Sequence, residues 1–184
     1  MVADNVVNKM IITNNEEALR IKCDIVLPEE VGSLVSVLEQ ELNYSNKLGK
    51  GGIGLAAPQI GIAKNIAIIR LGSGLNIDLV NPKIEKGYDP SLFRQEGCLS
   101  FPGRVEDTTR FQEVFITNNL VYPFSFVATG LMAVVCQHEI DHLNSVLFTD
   151  RMIKKTISKN TKIGPNDICI CGSNKKYKKC CGNK

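Results

Sequence analysis

Two histidines and a glutamate stand at H-E-x-x-H spacing in the stretch CQHEIDHLN, as His138, Glu139 and His142. On a helix, positions i and i+4 share a face, so both imidazoles can be offered to one cation. Glu139, offset by roughly 100° from His138, can reach a water at that cation and act as general base. Two ligands hold a divalent ion weakly, so a third is required. The chain has 2 histidines in all, which excludes a third imidazole, and no glutamate follows Glu139, which excludes the downstream-glutamate pattern of one large metalloprotease group. Asp150, the upstream carboxylates and the cysteines remain. Cys136 lies two residues from His138 and points off its face. Cys23 sits in an N-terminal segment where a buried structural thiol is expected. Cys98 is favoured, because the Gly-flanked, turn-like segment RQEGCLSFPG can bring a thiolate to the helix, and two His and one Cys with an open position suit a catalytic metal.

The elements that must position these groups are partly legible. Val31, Leu34, Val35, Leu38 and Leu42 recur at three- and four-residue steps, which predicts an amphipathic helix from Glu30 to Lys47. The Gly-rich passage GKGGIGLAAPQIG follows, where the backbone can approach something closely. Short apolar or alternating runs bounded by Gly, Asn and Pro predict strands at Asn65–Leu71, Leu75–Val80, Glu113–Asn118 and Val121–Val127. Thr129 can cap a second helix reaching about Leu147, with Leu131, Val134, Val135, His138 and His142 along one stripe.

With 184 residues, 43% hydrophobic and 22% charged, the chain can form one packed domain with a small appendage. Its start lacks the basic and apolar segments of a secretory signal and no stretch is long enough to cross a membrane, so a cytoplasmic location without membrane partners is expected. There, 7 cysteines read as thiols or metal ligands before disulfides, and Cys169, Cys171, Cys180 and Cys181 crowd the end. Ten of the 22 Lys+Arg but one of the 19 acids lie from Arg151 onward, leaving the tail at +9 and the remainder at −6. A basic tail on an acidic body points to an anionic partner for the tail. The polar text RMIKKTISKNTKIGPND between them reads as a linker.

Three motifs in order, GIGLAAPQ (Gly52 to Gln59), EGCLS (Glu96 to Ser100) and QHEIDHL (Gln137 to Leu143), resemble the signature motifs of peptide deformylases. The resemblance implies an α+β fold in which antiparallel sheets surround the H-E-x-x-H helix. It also implies that Cys98, His138 and His142 bind one metal, usually Fe2+, for which Zn2+, Ni2+ or Co2+ can substitute. Glu139 would take a proton from the attacking water and deliver it to the departing amine. The side-chain amide of Gln59 and the backbone N–H of Leu99 would stabilise the formyl oxygen as it becomes negative. Gly54 would let the peptide lie alongside as an added strand, and Ile53, Leu131, Val134 and Val135 would line a methionine pocket. Arg104 would contact the peptide, and Glu96 with Arg110 would support the metal loop. The substrates implied are N-formylmethionyl nascent peptides, and the product is formate. Ser145 departs from the family, which usually has Gly there; a local packing change is expected.

The tail, PNDICICGSNKKYKKCCG, resembles the SEC-C motif, at its cysteines and at Pro165, Asp167, Gly172, Ser173 and the KKYKK segment. The resemblance implies that Cys169, Cys171, Cys180 and Cys181 hold one structural Zn2+ whose binding supplies much of the folding energy of so small a unit. The resulting division is a catalytic domain over 1–150, a basic linker over 151–163 and a SEC-C unit over 164–184. The basic unit would dock on a ribosome or its RNA, or on a protein such as a chaperone. Two other readings exist: a binding module without turnover, and an H-E-x-x-H metalloprotease. Intact Glu139, Gln59 and Cys98 favour the deformylase.

Overall fold

A computed structural model describes residues 11–72, 74–119, 123–153, 163–169 and 175–182. The expectations for residues 154–162, for Val121 and for Cys171 lie outside them. A one-turn helix, α1 (Glu16–Leu19), is capped by Asn15, whose side chain accepts from the Ala18 N–H at 3.1 Å. Pro28 opens a 3-10 turn that leads into α2 (Val31–Lys47), the helix the apolar spacing predicts.

β1 (Gly54–Ala56), β2 (Ile66–Arg70) and β3 (Asn76–Val80) form an antiparallel sheet in that order. Because side chains alternate along a strand, Ile66 and Ile68 of β2 join Leu38 and Leu42 of α2, while Ala67 and Ile69 face a second cluster on the other side. A second antiparallel sheet runs β4 (Lys83–Gly97), β5 (Val105–Asn118) and β6 (Phe124–Thr129). Between the two sheets lies α3 (Gly130–Leu143), whose Ala133, Val135, Cys136, Ile140 and Leu143 pack against Ala67, Ile69 and Leu79 of the first sheet and Val114, Ile116 and Ala128 of the second. Truncating one such buried aliphatic residue to alanine costs about 2–5 kcal/mol, so the helix that carries the motif is held by both sheets. This is the α+β arrangement expected.

Several boundaries differ from the sequence reading. β5 begins eight residues before Glu113, and β4 was not anticipated at all. Most of β4 is exposed or half-exposed, and its register is broken between Ile84 and Lys86 and between Phe93 and Glu96, so no alternating apolar pattern marks it. Pro90 is accommodated because β4 is an edge strand. Thr129 occupies the N-cap position of α3 with extended backbone, yet its side chain makes no capping bond. Gly130 instead turns the chain from β6 into the helix, with φ +56, a conformation favourable to glycine. α3 stops at Leu143, short of Leu147, and a 3-10 turn (Phe148–Arg151) follows. Cys23 is half-buried beside the core and not enclosed within it.

Arg151, Met152 and Ile153, which the polar text assigned to the linker, are fastened to the core. Arg151 pairs with Asp141, Met152 bridges to Thr108, and the Ile153 N–H donates to the Asp107 carbonyl at 3.1 Å. Among the described C-terminal residues, Ile168 bridges Lys176 and a 3-10 turn (Tyr177–Lys179) precedes Cys180. Among the described residues, no helix is long and apolar enough to cross a membrane.

Candidate metal centre

α3 presents His138 and His142 one turn apart, and the turn after β4 brings Cys98 to them. The Cys98 thiol and ring nitrogens of both histidines lie within 4.8 Å of one another, with Cys98 Sγ 3.3 Å from His142 Nε2. Ligands roughly 2.0–2.3 Å from a tetrahedral ion stand roughly 3.3–3.8 Å apart, so this set fits one cation with little movement. Asp150, another of the candidates, is committed elsewhere: its carboxylate accepts from Arg20 at 2.7 and 2.9 Å. Cys136 is buried in the core.

The surroundings favour a cation. His138 Nδ1 lies 2.6 Å from Glu96 Oε1, which leaves Nε2 free to serve as a ligand. Burial disfavours charge on His138, but Cys98 and Glu96 hold its pKa well above the usual imidazole range. The groups that favour a proton there would also favour a metal ion. His142 is shifted the opposite way, downward, by burial and then by His138 and Arg110, and is neutral, the form that ligates. Its Nδ1 is buried with no hydrogen-bond partner among the described residues.

Glu96 is the hub of the supporting structure. Burial alone would raise its pKa, yet His138 and Arg110 hold it well below the ordinary carboxylate value. Arg110 donates to Glu96 through Nη2 and Nε at 2.6 and 2.9 Å, and the Thr108 hydroxyl also donates to it. Arg110 reaches on to Asp141 at 2.6 Å. The family resemblance pointed to Glu96 and Arg110, and Asp141 stood inside the third motif without an assigned role; Thr108 and Arg151 carried no sequence signal, because each reads alone as a solvated polar residue.

Glu139 is 4% exposed, and its Oε2 has no hydrogen-bond partner among the described residues. Burial pushes its pKa up to about 7, with His138 opposing and Glu96 adding to the rise, so it is poised to exchange a proton near neutrality. Gln59 is locked: its Oε1 accepts from the Ala56 N–H at 2.8 Å, which aims its NH2 at Cys98 Sγ (3.5 Å) and Ser100 Oγ (3.2 Å). Ser100, fully buried, is a fixing partner that the motif contained but the sequence reading gave no role.

These groups open onto a cleft of about 570 Å³. Ile53, Gly54, Gln59, Leu99, Arg104, Leu131, Val134 and Val135 all line it with Cys98, His138 and Glu139; His142 lies behind. Gly54 is needed for a reason the sequence did not suggest: a side chain there would run into the Glu139 carboxylate. Arg104 is on the wall, but its Nε donates to Glu106 at 3.0 Å and its guanidinium lies over Phe101 and Phe148. Near the C-terminus, the sulfurs of Cys169, Cys180 and Cys181 also lie within 4.8 Å of one another, an arrangement suited to a structural metal.

The profile of the family described as polypeptide deformylase matches residues 8–158, and that of the SEC-C motif matches residues 166–183. Peptide deformylase 1 of Bacillus subtilis strain 168 is 38% identical over 156 residues, which cover 79% of this chain and 91% of that protein. The peptide deformylase of Alkaliphilus metalliredigens is 36% identical over 149 residues, covering 80% of this chain and 98% of its own. Among solved structures, a peptide deformylase from Synechococcus elongatus in complex with actinonin superposes with a TM-score of 0.70 at 35% identity, over 84% of this chain and 88% of that one. A Met-Ala-Ser-bound enzyme from Acinetobacter baumannii gives a TM-score of 0.67 at 26% identity, over 77% and 96%.

Proposed function

This chain belongs to the peptide deformylase family, and from that premise we propose how its residues remove the formyl group from formylmethionine at the start of new polypeptides. The enzyme is a hydrolase: water and the formyl amide give formate and a free amine. The observation that carries the residue assignment is the convergence of Cys98, His138 and His142 beside the buried Glu139 at the end of the cleft. Those three residues hold the metal, Fe2+ by family resemblance with Zn2+, Ni2+ or Co2+ able to substitute. When bound, the ion supplies Lewis acidity toward the formyl oxygen and a lowered pKa for water.

The protein's own residues do the rest. Glu139 accepts a proton from the water as its oxygen bonds to the formyl carbon, then returns that proton to the amine nitrogen as the C–N bond breaks. Its unpartnered Oε2 is the natural acceptor. The Gln59 NH2 and the Leu99 N–H donate to the formyl oxygen as it gains charge; losing one such donor typically costs about 3 kcal/mol. Ile53, Leu131, Val134 and Val135 receive the methionine side chain. β1 is an edge strand, so the peptide adds beside Gly54 as a further strand. Arg104 contacts the peptide beyond the methionine. The test is formate release from formyl-Met-Ala-Ser: Glu139→Gln should retain its metal and lose at least about 10²-fold in rate, the usual contribution of a positioned base. Undiminished release by that variant would refute the assignment.

The division proposed for the chain is a catalytic domain and a C-terminal SEC-C unit, in which Cys169, Cys171, Cys180 and Cys181 hold one Zn2+. The unit brings the enzyme to the ribosome in the cytoplasm, where its substrate emerges. Eight net positive charges from Lys154 onward support this, as does Tyr177 among four lysines, able to stack on a base. A chaperone or other protein partner is the alternative. Co-sedimentation with ribosomes over a salt series decides between them: phosphate contacts require a tail-dependent signal that falls steeply with salt.

A further inference from the structure

The polar network around Glu96 does not end at the metal centre. It runs outward through buried side chains to Arg151, at the point where the chain leaves the catalytic core. Glu96 Oε1 lies 2.6 Å from His138 Nδ1 and accepts from Arg110 Nη2 at 2.6 Å. Arg110 Nη1 donates to Asp141 Oδ2 at 2.6 Å. Arg151 closes the chain with two bonds to Asp141, Nη2 to Oδ1 at 2.7 Å and Nε to Oδ2 at 3.0 Å. Glu96, Arg110 and Asp141 are all buried, whereas the Arg151 side chain is 45% exposed. A second route is parallel to the first: Met152 bridges Thr108, whose hydroxyl donates to Glu96.

We propose that Arg151 is a positioning residue for the metal centre, acting through Asp141, Arg110 and Glu96 on the ring of His138. The physical reason is charge balance in a desolvated network. Two buried carboxylates, Glu96 and Asp141, are matched by two guanidiniums, and a buried carboxylate left without its partner is strongly unfavourable. Without Arg151, Arg110 alone must serve both acids. Its bonds to Glu96 are then drawn toward Asp141, and Glu96 no longer fixes the orientation of His138. Arg151 thus belongs functionally to the site, although it follows His142 by nine residues and touches no substrate.

This inference rests on the assignment of Cys98, His138 and His142 as metal ligands, and the experiment separates the two. The full-length protein, its Arg151→Ala variant and an Arg20→Ala control are loaded with Ni2+, and metal loss to excess chelator is timed alongside thermal unfolding. Arg20 pairs with Asp150 and so fastens the same 3-10 turn without joining the network. Partners one bond from a ligand typically change metal affinity 10–100-fold; from its more distant place, Arg151→Ala should release nickel about three- to tenfold faster. Arg20→Ala should release it at the unaltered rate even where its unfolding temperature falls as far. Arg151→Lys, which keeps the charge but not the fork, should be intermediate, and it carries the comparison if the alanine variant does not fold. Nickel loss from Arg151→Ala at the unaltered rate, or equally fast loss from Arg20→Ala, would overturn the proposal. An unaltered protein that takes up no nickel would overturn the ligand assignment itself, and this inference with it.

Discussion

The Glu139 carboxylate stands against the backbone of Gly54, so close that a Cβ on Gly54 would meet Glu139 Cδ at 2.8 Å. The glycine of the first motif and the glutamate of the third are therefore one steric unit, although 85 positions separate them. A methyl group at residue 54 must displace the carboxylate, since β1 is held by β2 and cannot recede. A misplacement of about 1 Å can cost about 10²-fold in rate. Gly54→Ala is expected to lose about that much in kcat for formyl-Met-Ala-Ser while keeping its metal content and far-ultraviolet circular dichroism. A fully active Gly54→Ala enzyme would show that the Glu139 position is not critical.

The buried position of Glu139 also sets a pH dependence. As a base it works when ionised, so kcat/KM must rise with pH through its pKa. Burial pushes that pKa up to about 7, while the neighbouring His138 works to lower it. A cation on the adjacent ligands acts in the same lowering sense, so the acid limb of the nickel-loaded enzyme is expected below about 7. The check is a pH profile of kcat/KM for the unaltered enzyme and Glu139→Gln. The same limb surviving in the glutamine variant would assign it to another group.

Ser145 has φ +59, a left-handed conformation that suits the glycine usual in this family. Serine is held there by the N-terminal segment: its hydroxyl donates to the Ile21 carbonyl at 2.9 Å, and its own carbonyl accepts from Arg20 at 3.0 Å. Ser145→Ala keeps the strained backbone and loses the side-chain bond, so it is expected to destabilise by about 1 kcal/mol. Ser145→Gly loses the same bond but relieves strain of about 1 kcal/mol and should be near neutral. Urea unfolding of the two variants reads the difference, and equal stability would contradict it.

Metal stoichiometry tests the C-terminal unit. The full chain should hold one ion in the core and one zinc among Cys169, Cys171, Cys180 and Cys181. Truncation after Lys162 keeps Arg151 to Ile153, the residues that fasten the exit segment to the core. It is expected to remove one equivalent of zinc and spare deformylation. A truncated protein binding as much metal as the full chain would eliminate the second site.

What the sequence determined by itself is what short-range spacing can carry. Two imidazoles one turn apart, the apolar period of α2, the alternating run of β2 and the three ordered motifs each express a local geometry, so the residues that converge at the cleft, Cys98, His138, His142 and Glu139, and the helix that bears three of them were legible. The long strand β4 was not, since its backbone bonds are met by β5 across a hairpin and its side chains are mostly exposed and carry no period. The roles of Asp141, Thr108 and Arg151 were not legible either, although the third motif includes Asp141. In a linear chain each is an ordinary polar residue, and only folding removes water from Asp141 and makes its charge depend on Arg110 and Arg151. Desolvation of one charge by residues distant in sequence is a property of the packed molecule, and no local pattern of residues encodes it.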